Sequence, residues 1–357
     1  MRSLANFLLM VGVCVPPALY VAVLHRRCPA ETQTSGESGL ALARQWLAAL
    51  PADASSMFAP PSSVACDVYA SHPRLCVNLI YFVVVDVGFY LIYLLQGSTW
   101  LIDPHWQLIP VCISLFYFSH PDAGWNEGVP QHPRAFLVLG LLLVWATRLM
   151  HNYLRREGYQ FGDREDWRYN DMRREHGRWF IISQFFAVCV AQHCMLVGLT
   201  MPLQPAMAAS GASLNLFDAL AASLCLAGIC VGLVADNQLF AYMQSPDKPL
   251  LLDSGLWRFS RHPNHFGEQL WWIGILSSAV AAAGGWSGFV AGGPHCWAVA
   301  FGVCFNHPID TLATLPLIEA RMLRRPERAT LYRAYQRRTP LLVPWFVRGG
   351  GKDAKLA

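Results

Sequence analysis

Eight long apolar stretches constrain this chain more than any other feature of its sequence. A membrane-spanning helix needs about 20 apolar residues, because roughly 30 Å of hydrocarbon is crossed at about 1.5 Å per residue. The third stretch is short and begins at His105, which leaves a re-entrant or tilted segment open. We therefore predict an all-α fold, a polytopic membrane helix bundle with about seven to eight spans. The stretches lie at residues 4–24, 77–95, 105–118, 134–150, 179–200, 214–235, 265–283 and 295–318.

The composition excludes a soluble domain, a disordered chain and a nucleic-acid-binding module. Only 14% of the residues are Asp, Glu, Lys or Arg, whereas a typical soluble domain has roughly 25%. The mean hydropathy is +0.31, which is too high for a chain that does not collapse. The net charge of +4 lacks the strongly basic face that nucleic-acid binding needs. The 11 cysteines contain no Cys-x-x-Cys pair, so we expect no zinc ribbon.

The distribution of Lys and Arg predicts which loops face the cytosol, since cytosolic loops near span ends carry the excess of these residues. Segments 151–178 and 236–263 and the tail 319–357 are rich in basic residues. The intervening loops 201–213 and 284–294 contain no charged residue. We therefore place the basic segments in the cytosol. Segment 25–76 then faces the lumen or exterior, where a disulfide is expected among Cys28, Cys66 and Cys76.

Three regions are expected along the chain. Residues 1–76 form an N-terminal leader or anchor span with a polar loop, in which 29–63 reads as a mobile loop. The membrane bundle occupies 77–348, and 349–357 reads as a disordered tail. The first stretch also suits a signal peptide, because Arg2 precedes an apolar run that Pro16-Pro17 interrupts. The sequence leaves cleavage of residues 1–24 open.

The segment Asp253-Ser-Gly-Leu-Trp-Arg-Phe-Ser-Arg-His-Pro-Asn-His-Phe-Gly-Glu268 is the first candidate site. With Asn264 as the first helical residue, His265 and Glu268 lie three apart and share a face that enters the bilayer, and Asn264 and Glu268, four apart, also project from one face into the bundle. A carboxylate at this depth indicates a functional site by default. The alternative is that Glu268 snorkels or pairs with Arg258 or Arg261. His262 and His265 form an HxxH, but no second histidine box exists, so we predict no metal site.

Two further basic segments are candidates. Arg148, Asp166-Trp-Arg-Tyr169 and Arg173-Arg174-Glu175 fit a bidentate clamp for a phosphate, or else ordinary cytosolic positive charge. Residues 319–345 favour an amphipathic basic helix on the membrane surface. The chain contains no GxGxxG, GxxxxGK[ST] or GxSxG, so any nucleotide cofactor lies outside a Rossmann or P-loop frame.

The segment Gly255–Glu268, together with Glu319, Tyr335 and Pro344-Trp345, resembles the C-terminal domain of the steroid 5-alpha-reductase superfamily. The similarity is greatest to an uncharacterised membrane branch, which has similar elements to Asp166-Trp-Arg-Tyr, to Asp236-Asn-Gln and to Ile102-Asp103-Pro-His-Trp106. The resemblance extends over about residues 100–357, and its Arg-His-Pro-Asn-x-Phe-Gly-Glu core is specific.

The resemblance implies that NADPH binds from the cytosolic side and reduces an activated C=C bond of a sterol-like or other hydrophobic lipid. The cofactor contacts that it implies fall on Asn264 and Glu268, with Asp236 and Arg148 as looser matches. His265 stands where the family usually has Tyr, and Met243 lies near a position that the steroid reductases give to Arg. No catalytic residue is assigned. The implied location is the membrane of the endoplasmic reticulum, with membrane lipids as partners and the oligomeric state left open.

Two alternatives remain from the sequence. The isoprenylcysteine carboxyl methyltransferases share a related Arg-His-Pro core and bind S-adenosylmethionine. They commonly have paired Glu at the start of the tail, whereas this chain has Glu319 followed by Ala320, which favours the reductase. The other alternative is a non-enzymatic membrane protein that binds lipid.

Overall fold

The computed structural model describes residues 2–28, 65–67, 69, 73–119, 133–162, 164–207 and 213–345. These residues are mainly helical and contain no strand. Residues 29–63 and 349–357, for which we expected a mobile loop and a disordered tail, lie outside the described residues. The helices are α1 (Arg2–Arg27), α2 (Pro73–Gln96), α3 (Ile102–Ser119), α4 (Pro133–Arg156), α5 (Trp167–His176), α6 (Phe180–Gln184), α7 (Ala191–Thr200), α8 (Leu203–Met207), α9 (Leu216–Gln244), α10 (Pro263–Ala282), α11 (Trp286–Ala291), α12 (Pro294–Ile309), α13 (Leu315–Leu323) and α14 (Pro326–Arg338).

The predicted fold class is confirmed, because the described part of the chain is a membrane-type helical protein. Five helical segments are long and apolar enough to cross a bilayer, and all eight predicted stretches contain helix. The five segments are Ser3–Arg27, Cys76–Gln96, Pro133–Arg156, Trp167–Thr200 and Leu216–Gln244. Of the other predicted spans, α12 has only 16 residues, and α10 carries His265, Glu268 and Gln269 in its first two turns. Polar residues and short length therefore separate these stretches from the five clear spans.

The chain divides into two compact units. The first consists of Met1–His120 and Tyr153–Val197, and the second of Pro121–Asn152 and Gly198–Ala357. The candidate site from the Asp253–Glu268 segment lies entirely in the second unit.

In the first unit, buried polar side chains join the membrane helices. His105 of α3 is fully buried, and its two ring nitrogens lie 2.6 and 3.1 Å from the carbonyl oxygens of Leu101 and Met10. His193 Nδ1 lies 3.0 Å from Asp86 Oδ1 inside the same unit. At the end of α1, Cys28 is joined to Cys66 by a disulfide. Two of the three predicted cysteines are therefore paired, whereas Cys76 is buried in α2 outside this bond.

In the second unit, glycines bring α9 and α10 into close backbone contact. A Cβ atom at Gly228 would lie 2.6 Å from the carbonyl oxygen of Gly267, and one at Gly267 would lie 2.6 Å from the amide nitrogen of Gly232. Gly228 and Gly232 are four residues apart, the GxxxG spacing that lets membrane helices approach closely. This approach brings the polar residues of α9 and α10 close together.

The structure corrects the predicted start of α10 by one residue. The helix begins at Pro263 rather than at Asn264, and His262 occupies the N-cap position. Proline is favoured at the first helical position because its ring fixes φ and its missing N–H is one that no helical carbonyl would accept. Asn264 and Glu268 remain four residues apart in the helix, so the predicted shared face is retained.

Candidate functional site

A buried ion network links three membrane helices of the second unit. Arg148 of α4 donates through Nη2 to Asp236 Oδ2 of α9 at 2.5 Å, and through Nη1 to Glu268 Oε1 of α10. The Arg148 and Asp236 side chains are only 5% and 6% exposed. Burial of a guanidinium at this depth is tolerated only with such partners. Three of the four predicted cofactor residues therefore meet at one place.

The network can accept further hydrogen bonds. Glu268 is its most exposed member, since 29% of its side chain is accessible. Each of its oxygens receives one bond, although a carboxylate has about four acceptor positions. With one guanidinium and two carboxylates, the network carries an excess of negative charge.

Asn264, the fourth predicted cofactor residue, lies one turn before Glu268 and outside the ion network. Its Oδ1 atom is buried, and no described residue donates a hydrogen bond to it. A buried carbonyl oxygen without a donor is costly, because the water that would solvate it has been removed. Asn264 is therefore the residue of α10 that most clearly needs an external hydrogen-bond donor.

A cluster of tryptophans supports the Glu268 carboxylate. Trp145 Nε1 of α4 donates to Glu268 Oε2 at 2.9 Å. The Trp145 ring stacks on Trp271 with centroids 5.3 Å apart and meets Trp272 edge-on at 5.2 Å. Because Trp145 and Arg148 are three residues apart on α4, both contact the same carboxylate. The carboxylate is therefore held in one orientation.

The loop before α10 is fixed by a second carboxylate, that of Glu319 in α13. Arg261 donates to it through Nε at 2.6 Å and Nη2 at 3.3 Å, and His262 Nε2 lies 3.2 Å from it. Tyr332 and Gln336 of α14 donate at 3.1 and 2.7 Å. These five residues, which we call the Glu319 cluster, join the site loop to the tail.

Electrostatics in the Glu319 cluster favour an ionised carboxylate beside a neutral imidazole. Burial alone would raise the pKa of Glu319, but the hydrogen bonds from His262, Gln336 and Arg261 outweigh burial and lower this pKa to about 2. Burial lowers the pKa of His262, and its bond to Glu319 only partly opposes this effect. Glu319 is therefore a structural anchor whose oxygens are bonded within the chain.

The tail helix α14, predicted to be an amphipathic basic helix at the membrane surface, packs one face on protein. Tyr332 and Tyr335 of α14 are buried, and the Tyr335 hydroxyl donates to the Trp257 carbonyl. The Arg261 amide donates to the Pro340 carbonyl at 3.0 Å. Tyr332 and Tyr335 are three residues apart and therefore lie on one face of the basic helix, and this face packs against protein.

The alternative pairing predicted for Glu268 is wrong, because neither Arg258 nor Arg261 contacts it. Arg261 is held by Glu319, and the guanidinium on Glu268 belongs to Arg148, which is 120 residues away in sequence. Met243, near the position at which the steroid reductases have Arg, is exposed at the end of α9.

The basic segment at residues 166–175, which was predicted as a possible phosphate clamp, lies in the first unit. Its arginines bond to carboxylates of the same chain. Asp166 caps the N-terminus of α5 and receives two bonds from the Arg168 guanidinium, at 2.9 and 3.1 Å. Burial would raise the pKa of Asp166, but the bonds from Arg168 prevail and lower this pKa. Arg173 donates to Glu165 at 3.0 Å. These pairs occupy part of the donors that a phosphate clamp would need.

Sequence reasoning missed three polar residues next to His265. His265 Nδ1 lies 3.0 Å from Asp310 Oδ1, and Gln269 Nε2 donates to Asp310 Oδ2 at 2.8 Å. His307 Nδ1 lies 2.6 Å from Gln269 Oε1. The available signal was the Asn-His-Pro-Ile-Asp run of residues 306–310 inside an apolar stretch. Within the described ranges, no group of three His, Cys, Asp or Glu residues is placed to hold a metal ion.

The helices and the buried ion network define an integral membrane protein with a polar site inside its second unit. Its sequence matches, over residues 89–339, a family described as "Protein of unknown function (DUF1295)". This match covers well over half of the chain, which therefore belongs to the DUF1295 family.

One curated relative is "Uncharacterized protein C594.04c" of Schizosaccharomyces pombe. The two proteins are 28% identical over 203 residues, which is 51% of this chain and 58% of the relative. The chain thus spans less than two thirds of that relative. No solved structure matches this chain.

Proposed function

We propose that this protein is a membrane oxidoreductase that uses NADPH to reduce a conjugated C=C bond of a sterol-like or other hydrophobic lipid, in the endoplasmic reticulum or a related membrane. The observation that supports this proposal is the pairing, on one face of α10, of the buried Asn264 Oδ1 with the half-exposed Glu268 carboxylate. The resemblance of the Arg261–Glu268 segment to the steroid 5-alpha-reductase domain supports it independently.

The polar atoms on this face fit the hydrogen-bond donors of NADPH. Asn264 Oδ1 needs one donor, and a nicotinamide carboxamide carries an N–H for it. Glu268 has acceptor positions left for the second carboxamide hydrogen or a ribose hydroxyl. Arg148, with Asp236 behind it, holds the Glu268 carboxylate toward the ligand. When bound, NADPH supplies the hydride, and the chain supplies position, orientation and exclusion of water.

The excess negative charge of the network gives one observation in favour of the second candidate. S-adenosylmethionine carries a sulfonium cation, which such a network would also attract. The tail argues against a methyltransferase. Where the methyltransferases commonly have paired Glu, this chain has only Glu319, which is 7% exposed and accepts hydrogen bonds from its own chain. We therefore prefer the reductase. A non-enzymatic lipid-binding protein is the third outcome of the test below.

Ligand-dependent thermal unfolding of the detergent-purified protein separates these functions. A ligand that binds only the folded state at 100 times its Kd stabilises it by about 2.7 kcal/mol. We expect NADPH to raise Tm and S-adenosylmethionine to leave it unchanged. The reverse result would establish the methyltransferase, and no shift with either ligand would favour the non-enzymatic protein.

A spectroscopic measurement checks that the stabilising ligand lies at this site. The tryptophans around Glu268 should transfer excitation energy to bound NADPH, and Trp145→Phe should reduce that transfer. Trp297→Phe is the matched control, because Trp297 is exposed on α12. Equal loss in both variants would place the cofactor elsewhere.

A further inference from the structure

A second polar face of α10 adjoins the proposed cofactor face. His265 and Gln269 are four residues apart, so they project from one stripe of the helix. Both bond to Asp310, His265 at 3.0 Å and Gln269 at 2.8 Å. Asn264 and Glu268 form the neighbouring stripe. One helix therefore presents an acceptor pair and a histidine–carboxylate pair side by side.

The backbone around Asp310 departs from regular helix. Asp310 begins a π-helical turn, Asp310–Thr314, which lies between α12 and α13. Single π turns inside helices occur frequently at functional sites, because the extra residue re-aims the neighbouring side chains. Gln269 is fixed from both sides, since it donates to Asp310 and lies 2.6 Å from His307 Nδ1. The position of the Asp310 carboxylate is therefore set by several contacts.

The second ring nitrogen of His265 is available to a ligand. Its Nδ1 atom faces Asp310, and the side chain is 26% exposed. No described residue bonds to its Nε2 atom. A carboxylate at Nδ1 orients the ring and leaves Nε2 as the nitrogen that can exchange a proton with a ligand. This arrangement is found where a histidine acts as a general acid or base.

We infer that His265 is the proton donor to the lipid substrate and that Asp310 is its positioning residue; this inference rests on the proposed function. In the reduction, a hydride from NADPH forms the new C–H bond at one carbon of the conjugated C=C bond, and NADP⁺ remains. The π electrons shift toward the conjugated acceptor group. The Nε2–H bond of His265 breaks, its proton bonds to the substrate, and the neutral ring later regains a proton from water.

The charged and titratable groups that face His265 come from two sides. Asp310 approaches from the π turn, and His262 meets the ring edge-on with centroids 5.8 Å apart. Behind His262 lie Glu319 and Arg261, and His307 is connected through Gln269. Asp310 is the only carboxylate among the described residues that hydrogen-bonds to the His265 ring.

Chemical modification tests the accessibility of Nε2 without requiring a known substrate. Diethyl pyrocarbonate reacts with accessible imidazole nitrogens, so the rate of modification reports whether the ring can be reached. We expect His265 to be modified and to be protected by NADPH. At 100 times its Kd, NADPH leaves about 1% of the sites open, so protection should approach 100-fold. His176, which is exposed on α5, serves as the control in the same digest.

Three variants separate a proton donor from a cofactor ligand or a structural residue. His265→Phe should keep NADPH affinity within about 2-fold, whereas Glu268→Gln should lose roughly 10- to 150-fold. Asp310→Asn should change the rate of modification of His265, because the carboxylate that orients its ring is lost, and should leave the rate at His176 unchanged. An unchanged rate at His265 would remove Asp310 from this role.

The outcomes distinguish this inference from the proposed function. If NADPH raises Tm but His265 is unprotected or unreactive, the inference is overturned and the proposed function stands. If His265→Phe loses as much NADPH affinity as Glu268→Gln, His265 is a cofactor ligand and the inference is likewise overturned. If NADPH does not raise Tm, the proposed function fails first and the inference fails with it.

Discussion

Arg148 is the residue on which the electrostatics of the site depend. It is nearly buried and bonds to both Asp236 Oδ2 and Glu268 Oε1. Removing one partner of a buried pair leaves an uncompensated charge, which costs more than the pair contributes. The contributions of Arg148, Asp236 and Glu268 to stability are therefore coupled, although only Glu268 is accessible to a ligand.

Arg148→Met should lower the stability of the protein by about 3–5 kcal/mol, the usual cost of leaving a buried charge without its partner. The double variant Arg148→Met/Asp236→Asn should recover part of this loss, because it also removes the unpaired carboxylate. Thermal unfolding in one detergent measures both. A single variant as stable as wild type would show that water already reaches the network.

Glu268→Gln should weaken NADPH binding by roughly 10- to 150-fold, the effect of losing a charged hydrogen bond worth about 1.5–3 kcal/mol. Fluorescence titration of purified protein measures this change. Glu327→Gln makes the same substitution at an exposed position of α14 and should leave binding unaltered. Unchanged affinity in a well-folded Glu268→Gln variant would remove Glu268 from the cofactor site.

At the scale of single residues, the sequence predicted the candidate site residues only where they belong to a recognisable motif. The family resemblance implied Asn264 and Glu268, which helical spacing places on one face, and more loosely Arg148 and Asp236. Asp310 did not emerge, because its contact with His265 joins residues 45 apart through a π turn that no local pattern announces. The cofactor-binding role of Arg148, Asp236, Asn264 and Glu268 stays a prediction.

The close packing of α9 against α10 determines the site at the scale of elements. Gly228→Ala should destabilise the protein by about 1–3 kcal/mol, because the new methyl group would meet the α10 backbone without room to relax. Gly140→Ala is the matched control, since nothing lies within 4 Å of a Cβ atom there. Thermal unfolding of both variants provides the comparison, and equal stability of the two would show that the helices can separate at no cost.

The Glu319 cluster predicts a specific dependence of stability on pH. The pKa of Glu319 is lowered from 4.5 to about 2 in the folded protein. A lowered pKa contributes stability above the unfolded value, and this contribution is lost as pH falls from about 4.5 to about 2. The stability difference between wild type and Glu319→Gln should therefore shrink over that window. Denaturation at stepped pH measures it, and a constant difference would contradict the assigned shift.

Hydrophobic periodicity predicted the elements well and their contacts poorly. All eight stretches are helical, because apolar runs of this length satisfy their backbone hydrogen bonds internally. The contacts of α14 were not predicted, because the composition of a basic helix does not reveal that Tyr332 and Tyr335 face protein. The close approach of α9 and α10 depends on where the glycines lie along each helix, and mean hydropathy does not report that.

At the scale of the whole molecule, the placement of basic loops predicts the orientation in the membrane. Ser213 and Ser254 lie beyond opposite ends of α9, a helix of 29 residues that is long enough to cross the bilayer. Single cysteines at these positions, in a background corrected for native thiols, should react with an impermeant reagent from opposite sides of sealed vesicles. Labelling of both from one side would invalidate the predicted topology.

The Glu319 cluster also has a consequence for the order of biosynthesis. Translation delivers α1 to α10 before α13 and α14, so the membrane helices can insert while the loop before α10 still lacks its anchors. Arg261, His262 and the Trp257 carbonyl receive their partners only after residues 319–340 have been made. A nascent chain stopped before that point would lack the contacts that fix the loop before α10, so the position of this loop depends on the last part of the chain to be made.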